Sequence, residues 1–496
     1  MRAPGKKRGR RASVSSKRAR KAGVHARQRR AAAATLSARL VGDVTLETRA
    51  DGGTAIVLDD GYAVALGKLS PAVAASVQQL RTGLPLDSIK DKDIERLVRL
   101  LARRGLFEYR LGQSRGEDMV VIEPQMSDYW PRAPRLDDTD TLVLSRFTYL
   151  RRRGNELVLE SPCAGALFRI GDPEVAAVLA RMAQPQPLAK LRRQGGVPLE
   201  LLALLVDGRI VLKADSNARS AEDDLVLWDF HDLLFHARST EGRHANPLGG
   251  QYPYAGVIAP PPAVRPPWPG SRIDLRELSA GSSQTEKGTA KLLRSRHSTR
   301  DFDAEHPITL AELARLLDGA ARVQAQWVSK LDEEADSPLI EYAARPYPSG
   351  GGSWELELYL VVDKCDGLAR GFYHYDAAAH ALVPIAAPAS ELDAQLTSAQ
   401  FAMGASAMPQ ILITIAARFG RISWKYSSIA YSLILKDVGV LLQTLYLMAT
   451  DMGLGGCAIG STNIEQFARL TGIAFHVEGA VGQFALGRGV EVDSPA

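Results

Sequence analysis

The stretch ISWKYSSIAYSLILKDVG, residues 422–439, sets two titratable side chains at the start of the most apolar segment of the chain. Lys425 and Tyr426 stand side by side, and apolar residues at helical spacing follow them. This pattern predicts a long core helix from about Ser428 to Met452. A lysine and a tyrosine at the mouth of a buried helix are either residues that emerge from the core or functional groups, and the pair alone does not decide between them.

Two charges, Lys436 and Asp437, fall at the centre of this apolar segment. A membrane-spanning helix needs roughly 20 consecutive residues that are nearly all apolar, and no uncharged run of that length occurs. The sequence therefore predicts a core helix and no membrane span.

The composition is that of an ordinary globular protein. The chain has 496 residues, of which 46% are hydrophobic and 24% charged, and this length predicts two or more domains. The three cysteines, Cys163, Cys365 and Cys457, are few and far apart. They form no CxxC pair and no disulfide framework, which favours a reducing, cytoplasmic location.

The positive net charge belongs to one end of the chain. Residues 1–30 hold 13 Lys or Arg and no acid, and the other 466 residues carry 48 basic and 56 acidic side chains. Residues 1–40 have no apolar h-region, so they are no secretory signal and are predicted to be a basic disordered arm. Binding of nucleic acid or a substrate peptide is the main alternative, and an organelle-targeting segment a lesser one.

Two N-terminal regions follow one plan. Residues 41–115 contain TAIVLDDGYAVALGKLS and RRGLFEYRL, and residues 140–215 contain ELVLESPCAGALFRIGD and VDGRIVLKA. Each region begins with strand-like alternation, changes to a helical period, and ends in a glycine turn and a strand. The sequence predicts two winged-helix-like domains.

Residues 216–285 are predicted to hold a helix and a linker. The helix spans Leu227 to His236, and the linker contains YPYAGVIAPPPAVRPPWPGS, in which proline prevents regular structure. His231, His236 and His244 suggest a metal site, but their spacings of five and eight put no two imidazoles on one helix face. No metal is therefore predicted.

Residues 286–490 are predicted to form an α+β domain. Thr309 and Glu312 make a capping box at the start of a helix. Strands are predicted at Glu355–Val362, Gln410–Ala416 and Gly479–Leu486, on either side of the long core helix.

The segment RSRHSTRDF, residues 294–302, brings cationic and hydroxyl groups together. Arg296, Ser298 and Arg300 recur at every second residue, so an extended backbone directs all three to one face. Such a face suits a phosphate, because arginine donates hydrogen bonds in a fixed fork. A solvated basic strand is the alternative.

Two glycine-rich segments allow close approach of backbone to a ligand. They are YPSGGGSW, residues 347–354, and MGLGGCAIGS, residues 452–461. A flexible turn and a helix C-cap are the simpler interpretations. Neither is a dinucleotide fingerprint, because GLGGCAIG follows a helix, and no P-loop pattern occurs.

Taken together and in this order, these motifs resemble the nitroreductase-like flavoproteins. More narrowly, residues 227–490 resemble the SagB-type or McbC-like azoline dehydrogenases, which oxidise thiazoline and oxazoline rings in ribosomally made peptides. The RxSxRxF core is common to the superfamily. The segment FHARSTEGR and the Lys–Tyr pair point to the subgroup.

The resemblance implies FMN as cofactor and assigns its contacts. Arg296, His297, Ser298 and Arg300 match the segment that holds the ribityl chain and phosphate. The further implied contacts are Pro348, Ser349, Gly350 and Gly351 along the isoalloxazine from the other subunit of a homodimer, Gly455 and Gly456 at the flavin N5/O4 edge, and Arg488 at the phosphate.

The resemblance assigns Lys425 and Tyr426 as the catalytic pair. A hydride leaves the azoline for flavin N5 while a base removes the partner proton. A lysine can be that base only when its pKa is lowered, which partial burial beside an apolar helix would achieve. Tyr426 would relay the proton or orient the ring.

The resemblance also implies partners. These are an azoline-containing precursor peptide whose leader the winged-helix-like domains bind by strand addition, an upstream cyclodehydratase, and oxygen as the final electron acceptor. Two alternatives are an NAD(P)H-dependent nitro or quinone reductase of the same fold and a non-enzymatic protein that binds peptide or nucleic acid.

Overall fold

A computed structural model describes residues 34–490 with gaps. The gaps are 42–43, 50–51, 59–62, 103–105, 113–117, 127–128, 215–221, 245–256, 258–261, 264–274, 276–287, 332, 334–337 and 427. The predicted proline-rich linker and residues 1–33 of the basic arm lie outside the described residues, apart from isolated linker positions.

The N-terminal half is built from short strands and helices in two similar successions. The strands are β1 (Thr35–Leu40), β2 (Val44–Thr48), β3 (Thr54–Leu58), β4 (Ala63–Gly67), β5 (Leu84–Pro85), β6 (Phe107–Gly112), β7 (Asp118–Pro124), β8 (Thr141–Leu144), β9 (Tyr149–Arg153), β10 (Glu156–Glu160), β11 (Ala166–Ile170), β12 (Gln186–Pro187) and β13 (Val211–Ala214). The helices are α1 (Pro71–Gln79), α2 (Lys92–Ala102), α3 (Pro173–Arg181), α4 (Leu188–Gln194) and α5 (Leu199–Asp207).

One sheet joins the two repeats. In the described part of the chain, its strand order is β5-β1-β6-β7-β11-β10-β9, and β7 pairs antiparallel with β11 from Val120–Ile170 to Pro124–Ala166. Buried side chains of both repeats also form one hydrophobic cluster. The repeats therefore share a sheet and a core, and their description as two winged-helix-like domains, 41–115 and 140–215, stays a prediction.

The predicted extent of the basic arm is wrong at its C-terminal end. Thr35–Leu40 forms β1 and pairs with β6 instead of belonging to a disordered arm. Ala38 and Leu40 are buried, because alternate side chains of TLSARL face the core. The many basic residues upstream of Thr35 obscure this strand-like alternation in the sequence.

The C-terminal domain has the predicted α+β architecture. Its strands are β14 (Ala325–Lys330), β15 (Leu339–Ala344), β16 (Leu356–Val362), β17 (Gly371–Asp376), β18 (Ala381–Ile385), β19 (Ile411–Arg418), β20 (Gly455–Ile459) and β21 (Glu478–Gly487). Following α6 (Phe230–Ser239), its helices are α7 (Gly288–Ser295), α8 (Leu310–Ala321), α9 (Ala389–Met403), α10 (Phe419–Ser423), α11 (Ala430–Asp451) and α12 (Ile464–Thr471). The main sheet has the order β18-β17-β16-β19-β21-β20, and the predicted capping box is present at Thr309 and Glu312.

The predicted core helix is α11. By length and composition it is apolar enough to cross a membrane. One side of it is buried against the sheet and α8, through residues including Ile434, Val438, Leu441 and Leu445. This burial accounts for its apolar character as the core helix of the domain.

Helix α6 fastens the middle of the chain to the C-terminal domain. His236 is fully buried among aromatic rings, and its Nδ1 lies 3.0 Å from the hydroxyl of Tyr431 at the start of α11. Trp228 lies just before α6 and donates from Nε1 to the carbonyl of His476 at 2.9 Å. The segment that follows the two repeats is thus part of the core that supports α11.

Candidate active site

The predicted catalytic pair lies in the turn between α10 and α11. Lys425 donates from Nζ to the carbonyl of Gly351 at 2.9 Å, and Tyr426 is half-buried beside it. Gly351 has a φ of +59°, and a Cβ at that position would collide with the Tyr426 hydroxyl. The two sequence motifs are therefore in direct contact, and glycine is required where they meet.

The partial burial expected for Lys425 is not found in this chain. Its side chain is exposed, although one side of the helix that follows it is buried. The sequence pattern placed the lysine beside an apolar helix. The lysine lies in the turn that precedes the helix, between Ile422, which is buried, and Tyr426, which is half-buried. Any further burial of the ammonium would have to come from another molecule.

Asp437 holds the glycine-rich loop against α11. Its Oδ2 accepts hydrogen bonds from the amide of Gly350 and from Ser349 Oγ, each at 2.8 Å. Asp437 is only 5% exposed, and a carboxylate is rarely buried to this extent unless such donors pair with it. The charge that interrupts the apolar sequence pattern therefore anchors the loop, while Pro348 beside it is exposed.

A second buried carboxyl group lies under the same loop. Glu355 is fully buried, and Ser349 Oγ lies 3.3 Å from its Oε2. Burial, reinforced by the nearby Asp437 carboxylate, raises the pKa of Glu355 to about 7. The loop thus rests on a pair of carboxyl groups that share one serine hydroxyl.

Acidic side chains from α6 and the residue before it hold the start of α11. Asp229 accepts a short hydrogen bond from the amide of Ser428, and Asp232 Oδ2 accepts from the amide of Tyr431 at 3.3 Å. His231 Nε2 lies 2.9 Å from the carbonyl of Ser428, and Ser428 has a φ of +54°. The carboxylates satisfy amides that a helix start leaves unpaired, so they fix the turn that carries the predicted catalytic pair.

The predicted phosphate-binding segment lies near the opposite end of α11. Ser298 Oγ is 2.8 Å from the hydroxyl of Tyr446, which also accepts from the amide of Ala458 at 2.8 Å. The guanidinium of Arg296 lies 5.0 Å from the centre of the Tyr446 ring. Tyr446 therefore connects the cationic segment to β20.

The second glycine segment is packed directly against the first motif. Thr299 donates its amide to the carbonyl of Gly456 at 2.8 Å. Gly455 and Gly456 are buried, and a Cβ on Gly455 would come within 2.6 Å of the Thr299 side chain. The backbone thus forms a close-packed wall beside the exposed side chains of His297 and Arg300.

Arg488 also lies at this end of the helix, but it has a partner within the chain. Its amide donates to Gln410 Oε1 at 3.1 Å, and its NH2 lies 2.9 and 3.0 Å from the carboxylate oxygens of Glu312. Although burial opposes ionisation of Glu312, hydrogen bonds from Thr309 and Arg488 lower its pKa. A phosphate at Arg488 would therefore share the guanidinium with a carboxylate.

The predicted site residues form two groups that do not meet in one chain. The Lys425 group contains the pair and residues 348–351, and the Tyr446 group contains residues 296–300, 455–456 and 488. Along α11, Ala430 and Tyr446 are separated by 16 residues, or about 24 Å at about 1.5 Å per residue. The Lys425 group contacts the first two turns of the helix, and the Tyr446 group its last two.

Sequence reasoning missed several residues that build these groups. Tyr446, Glu355, Asp229 and Asp232 were not predicted as site residues, and Asp437 was noted only as an interruption of the apolar run. Asp437 and Tyr446 did carry a signal, because each is a lone polar side chain in an apolar helix and a buried polar group needs a partner.

The Tyr446 group suits the polar end of FMN. It combines the guanidinium groups of Arg296 and Arg300 with the hydroxyls of Ser298 and Tyr446, which are donors that a phosphate and a ribityl chain require. The glycine backbone of β20 adds a surface on which a Cβ would obstruct close packing. The residues present therefore fit the cofactor that the motifs imply.

Two family models match the chain. Residues 142–245 match the cyanobactin oxidase ThcOx model, and residues 293–488 match the nitroreductase family model. A nitroreductase-type protein of Methanocaldococcus jannaschii is 29% identical over 170 residues, which cover 34% of this chain and 77% of that protein.

Solved structures resemble the chain more distantly. A nitroreductase-type protein of Ralstonia eutropha is 21% identical with a TM-score of 0.31 and covers 43% of this chain and 88% of its own. The E. coli microcin synthetase McbBCD complex with truncated pro-MccB17 is 18% identical with a TM-score of 0.38 and covers 56% and 100%. A Desulfovibrio desulfuricans nitroreductase-type protein in complex with FMN is 14% identical with a TM-score of 0.26 and covers 42% and 94%. The assignment rests on the two family models.

The cyanobactin oxidase model covers the second repeat and α6, where FHARSTEGR begins, and the nitroreductase model covers the C-terminal domain, which holds RxSxRxF, both glycine segments and the Lys–Tyr pair. The chain therefore joins a segment that matches the cyanobactin oxidase model to a domain that matches the nitroreductase family model, which supports the FMN-dependent oxidoreductase that its resemblance to the SagB-type enzymes predicted.

Proposed function

We propose that the protein oxidises thiazoline or oxazoline rings to thiazoles or oxazoles in a ribosomally synthesised precursor peptide. The observation that supports this most is the contact between Lys425 and Gly351, which sets a proton-accepting group on the glycine loop expected to border the flavin. The cyanobactin oxidase match of residues 142–245 supports a peptide substrate over a small molecule.

The chemistry divides between the cofactor and the chain. Conversion of an azoline to an azole removes two hydrogens, one as a hydride and one as a proton, and bound FMN supplies the hydride acceptor at N5. Lys425 in its neutral form takes the proton at Nζ. The hydroxyl of Tyr426 orients the ring or relays the proton, and oxygen finally receives the electrons.

The cofactor would be held mainly by the Tyr446 group. Arg296 and Arg300 would pair with the phosphate, and Ser298 and His297 would donate to the phosphate or ribityl oxygens. Gly455 and Gly456 would pack against the flavin edge, and Arg488 would add a phosphate contact while remaining bonded to Glu312. Pro348, Ser349, Gly350 and Gly351 would lie along the isoalloxazine from the other subunit.

A homodimer would unite the two groups. Because they lie at opposite ends of α11, the Lys425 group of one copy would have to meet the Tyr446 group of another. Gly439 supports this arrangement: it is exposed in mid-helix, and a Cβ there would meet nothing within 4 Å of its own chain. Glycine in a helix interior lowers helix stability by about 1 kcal/mol relative to alanine. Close approach of a second copy would explain why a glycine occupies this position.

The N-terminal half would recognise the peptide. In the described residues, β9 has a neighbour on one side only, within the sheet that the two repeats share. An unpaired strand edge can accept a leader peptide by strand addition. The upstream cyclodehydratase that forms the azoline would act on the same peptide, and we expect both enzymes in the cytoplasm.

The direct test offers the FMN-loaded protein a synthetic peptide that carries leader and azoline, under air. Mass spectrometry should find the loss of two hydrogens per ring, and omission of the leader should slow the reaction. Unchanged peptide mass together with rapid NADH oxidation in the presence of a nitroarene would replace the proposal with the nitro or quinone reductase, the reading that the M. jannaschii relative favours. A purified protein without flavin absorbance would favour the non-enzymatic binding protein.

A further inference from the structure

Two carboxyl groups and one hydroxyl lie together beneath the glycine loop, and the proposed chemistry uses none of them as acid or base. Glu355 immediately precedes β16 and is fully buried, and Asp437 on α11 is 5% exposed. Ser349 Oγ reaches both, at 3.3 Å and 2.8 Å. Two buried negative charges at this separation would repel each other strongly.

The hydrogen bonds around Ser349 indicate where a proton resides. Its Oγ accepts from the amide of Trp354 at 2.9 Å, and it has one proton to donate and one further lone pair. Asp437 already receives the Gly350 amide and takes the serine proton. The arrangement is complete when Glu355 carries a proton, which it can donate to Ser349 Oγ or directly to Asp437. With Glu355 ionised, two carboxylates compete for one hydroxyl.

The other titratable groups near Glu355 and Asp437 are paired elsewhere or stay neutral. Arg345 and Arg418 point to Glu357, with nitrogen to oxygen distances of 3.6 and 3.1 Å. Tyr347 is buried, and burial raises the pKa of its hydroxyl, so it stays neutral. On the outer side of the loop, Lys425 is bonded to the Gly351 carbonyl.

We propose that Glu355 is a proton-carrying positioning residue that, through Ser349 and Asp437, fixes the glycine loop against Lys425 and makes that contact sensitive to pH near neutrality. The inference deepens the proposed function, on which the role of Lys425 rests. At mildly acidic pH the neutral Glu355 completes the network and the loop is held. As pH rises through about 7, where burial and Asp437 place the pKa of Glu355, the network loses a donor and gains a charge.

Thermal unfolding at a series of pH values tests the proton on Glu355 without any substrate. A carboxyl group whose pKa rises from 4.5 to about 7 on folding stabilises the protein fully below 4.5, and this stabilisation is lost as pH rises through 7. Glu355→Gln keeps a donor and cannot ionise. We expect the Tm of E355Q minus that of the wild type to increase between pH 4.5 and 7 and then to level off.

Two further variants locate the effect. Asp437→Asn removes the like charge. On this background, the Tm difference caused by Glu355→Gln should therefore vary over a lower pH interval than it does in the wild type. Glu341→Gln changes an exposed glutamate on the neighbouring β15 and should give a Tm difference that does not vary with pH. Two results would overturn the proposal. One is a Tm difference between E355Q and the wild type that does not vary with pH. The other is a Tm difference between the E355Q/D437N double variant and D437N that varies over the same pH interval as the difference between E355Q and the wild type.

Hydrogen exchange at the loop tests the positioning role. In the FMN-loaded protein, amides of residues 349–354, corrected for intrinsic exchange rates, should lose protection above pH 7 in the wild type and keep it in E355Q. Equal protection in both at every pH would refute the coupling. These measurements need no peptide oxidation, so a failure of the proposed azoline reaction and a failure of this inference give different results.

Discussion

The two ends of α11 are built in contrasting ways. The Tyr446 group is assembled within one chain, because Ser298, Tyr446 and the amide of Ala458 are joined by direct hydrogen bonds. At the other end, the Lys425 side chain is exposed, and its Nζ donates to the carbonyl of Gly351 in the glycine-rich loop. The difference teaches that the Tyr446 group is preformed within one chain, whereas the Lys425 side chain is open to contact with another molecule.

The largest expected effect falls on the reacting end. Lys425→Ala should bind FMN normally and lose peptide oxidation by roughly 10²–10⁴-fold, the usual contribution of a general base. Rates measured by mass spectrometry on the FMN-loaded variant check this. Lys364→Ala is a matched control, since Lys364 is also exposed and donates to a backbone carbonyl, that of Ala304 at 3.4 Å. Undiminished oxidation by K425A would remove the lysine from the mechanism.

The next effect separates the two ends by cofactor binding. Arg296→Glu places a negative charge where a phosphate is expected, and loss of a charge-assisted contact worth about 1.5–3 kcal/mol should weaken FMN binding by roughly 10- to 100-fold or more. Titration of the apoprotein with FMN, followed by flavin fluorescence, measures it. The control is Arg315→Glu on α8, an arginine that is 67% exposed. If R296E binds FMN as the wild type does, the phosphate lies elsewhere.

The smallest effect tests the connection between the cationic segment and β20. Tyr446→Phe removes a hydroxyl bonded to Ser298 Oγ and to the Ala458 amide, a net loss of about 0.5–1.5 kcal/mol per bond. We expect FMN affinity to fall several-fold and the Tm by a few degrees, while the turnover number of the saturated enzyme stays near the wild-type value. Tyr342→Phe, on the β15 hairpin, should change neither. A large fall in turnover at saturating FMN would mean that Tyr446 acts in the reaction itself.

Much of the C-terminal domain could be predicted because its signals are local. The capping box at Thr309, the alternation of β16 and β19 and the helical period of α11 each follow from neighbouring residues, and the observed bounds differ from the predicted ones by a few residues. The contact of Lys425 with the glycine loop spans 74 residues, and only the family resemblance suggested that both belong to one site.

The remaining features depend on pairings that no local pattern encodes. The joining of β7 to β11 across the two repeats is a choice between strand edges, and the sequence of each repeat suits either. The burial of Glu355 is likewise invisible in the sequence, since its alternation along ELELYLVV predicts a polar face. Its partner Asp437 lies on another element, and only the fold brings the two carboxyl groups together.

A mixed-dimer experiment tests most directly the central claim that one active site takes its two ends from two chains. At an FMN concentration that loads the wild-type site but not the R296E site, neither Lys425→Ala nor Arg296→Glu alone should oxidise the azoline peptide appreciably, but in a mixed dimer the intact ends of the two chains form one working site. Equal amounts, unfolded and refolded together with FMN, should recover about a quarter of wild-type activity, because half the dimers are mixed and each has one complete site. Activity no greater than the sum of the separate variants, in a sample shown to contain mixed dimers, would contradict the account.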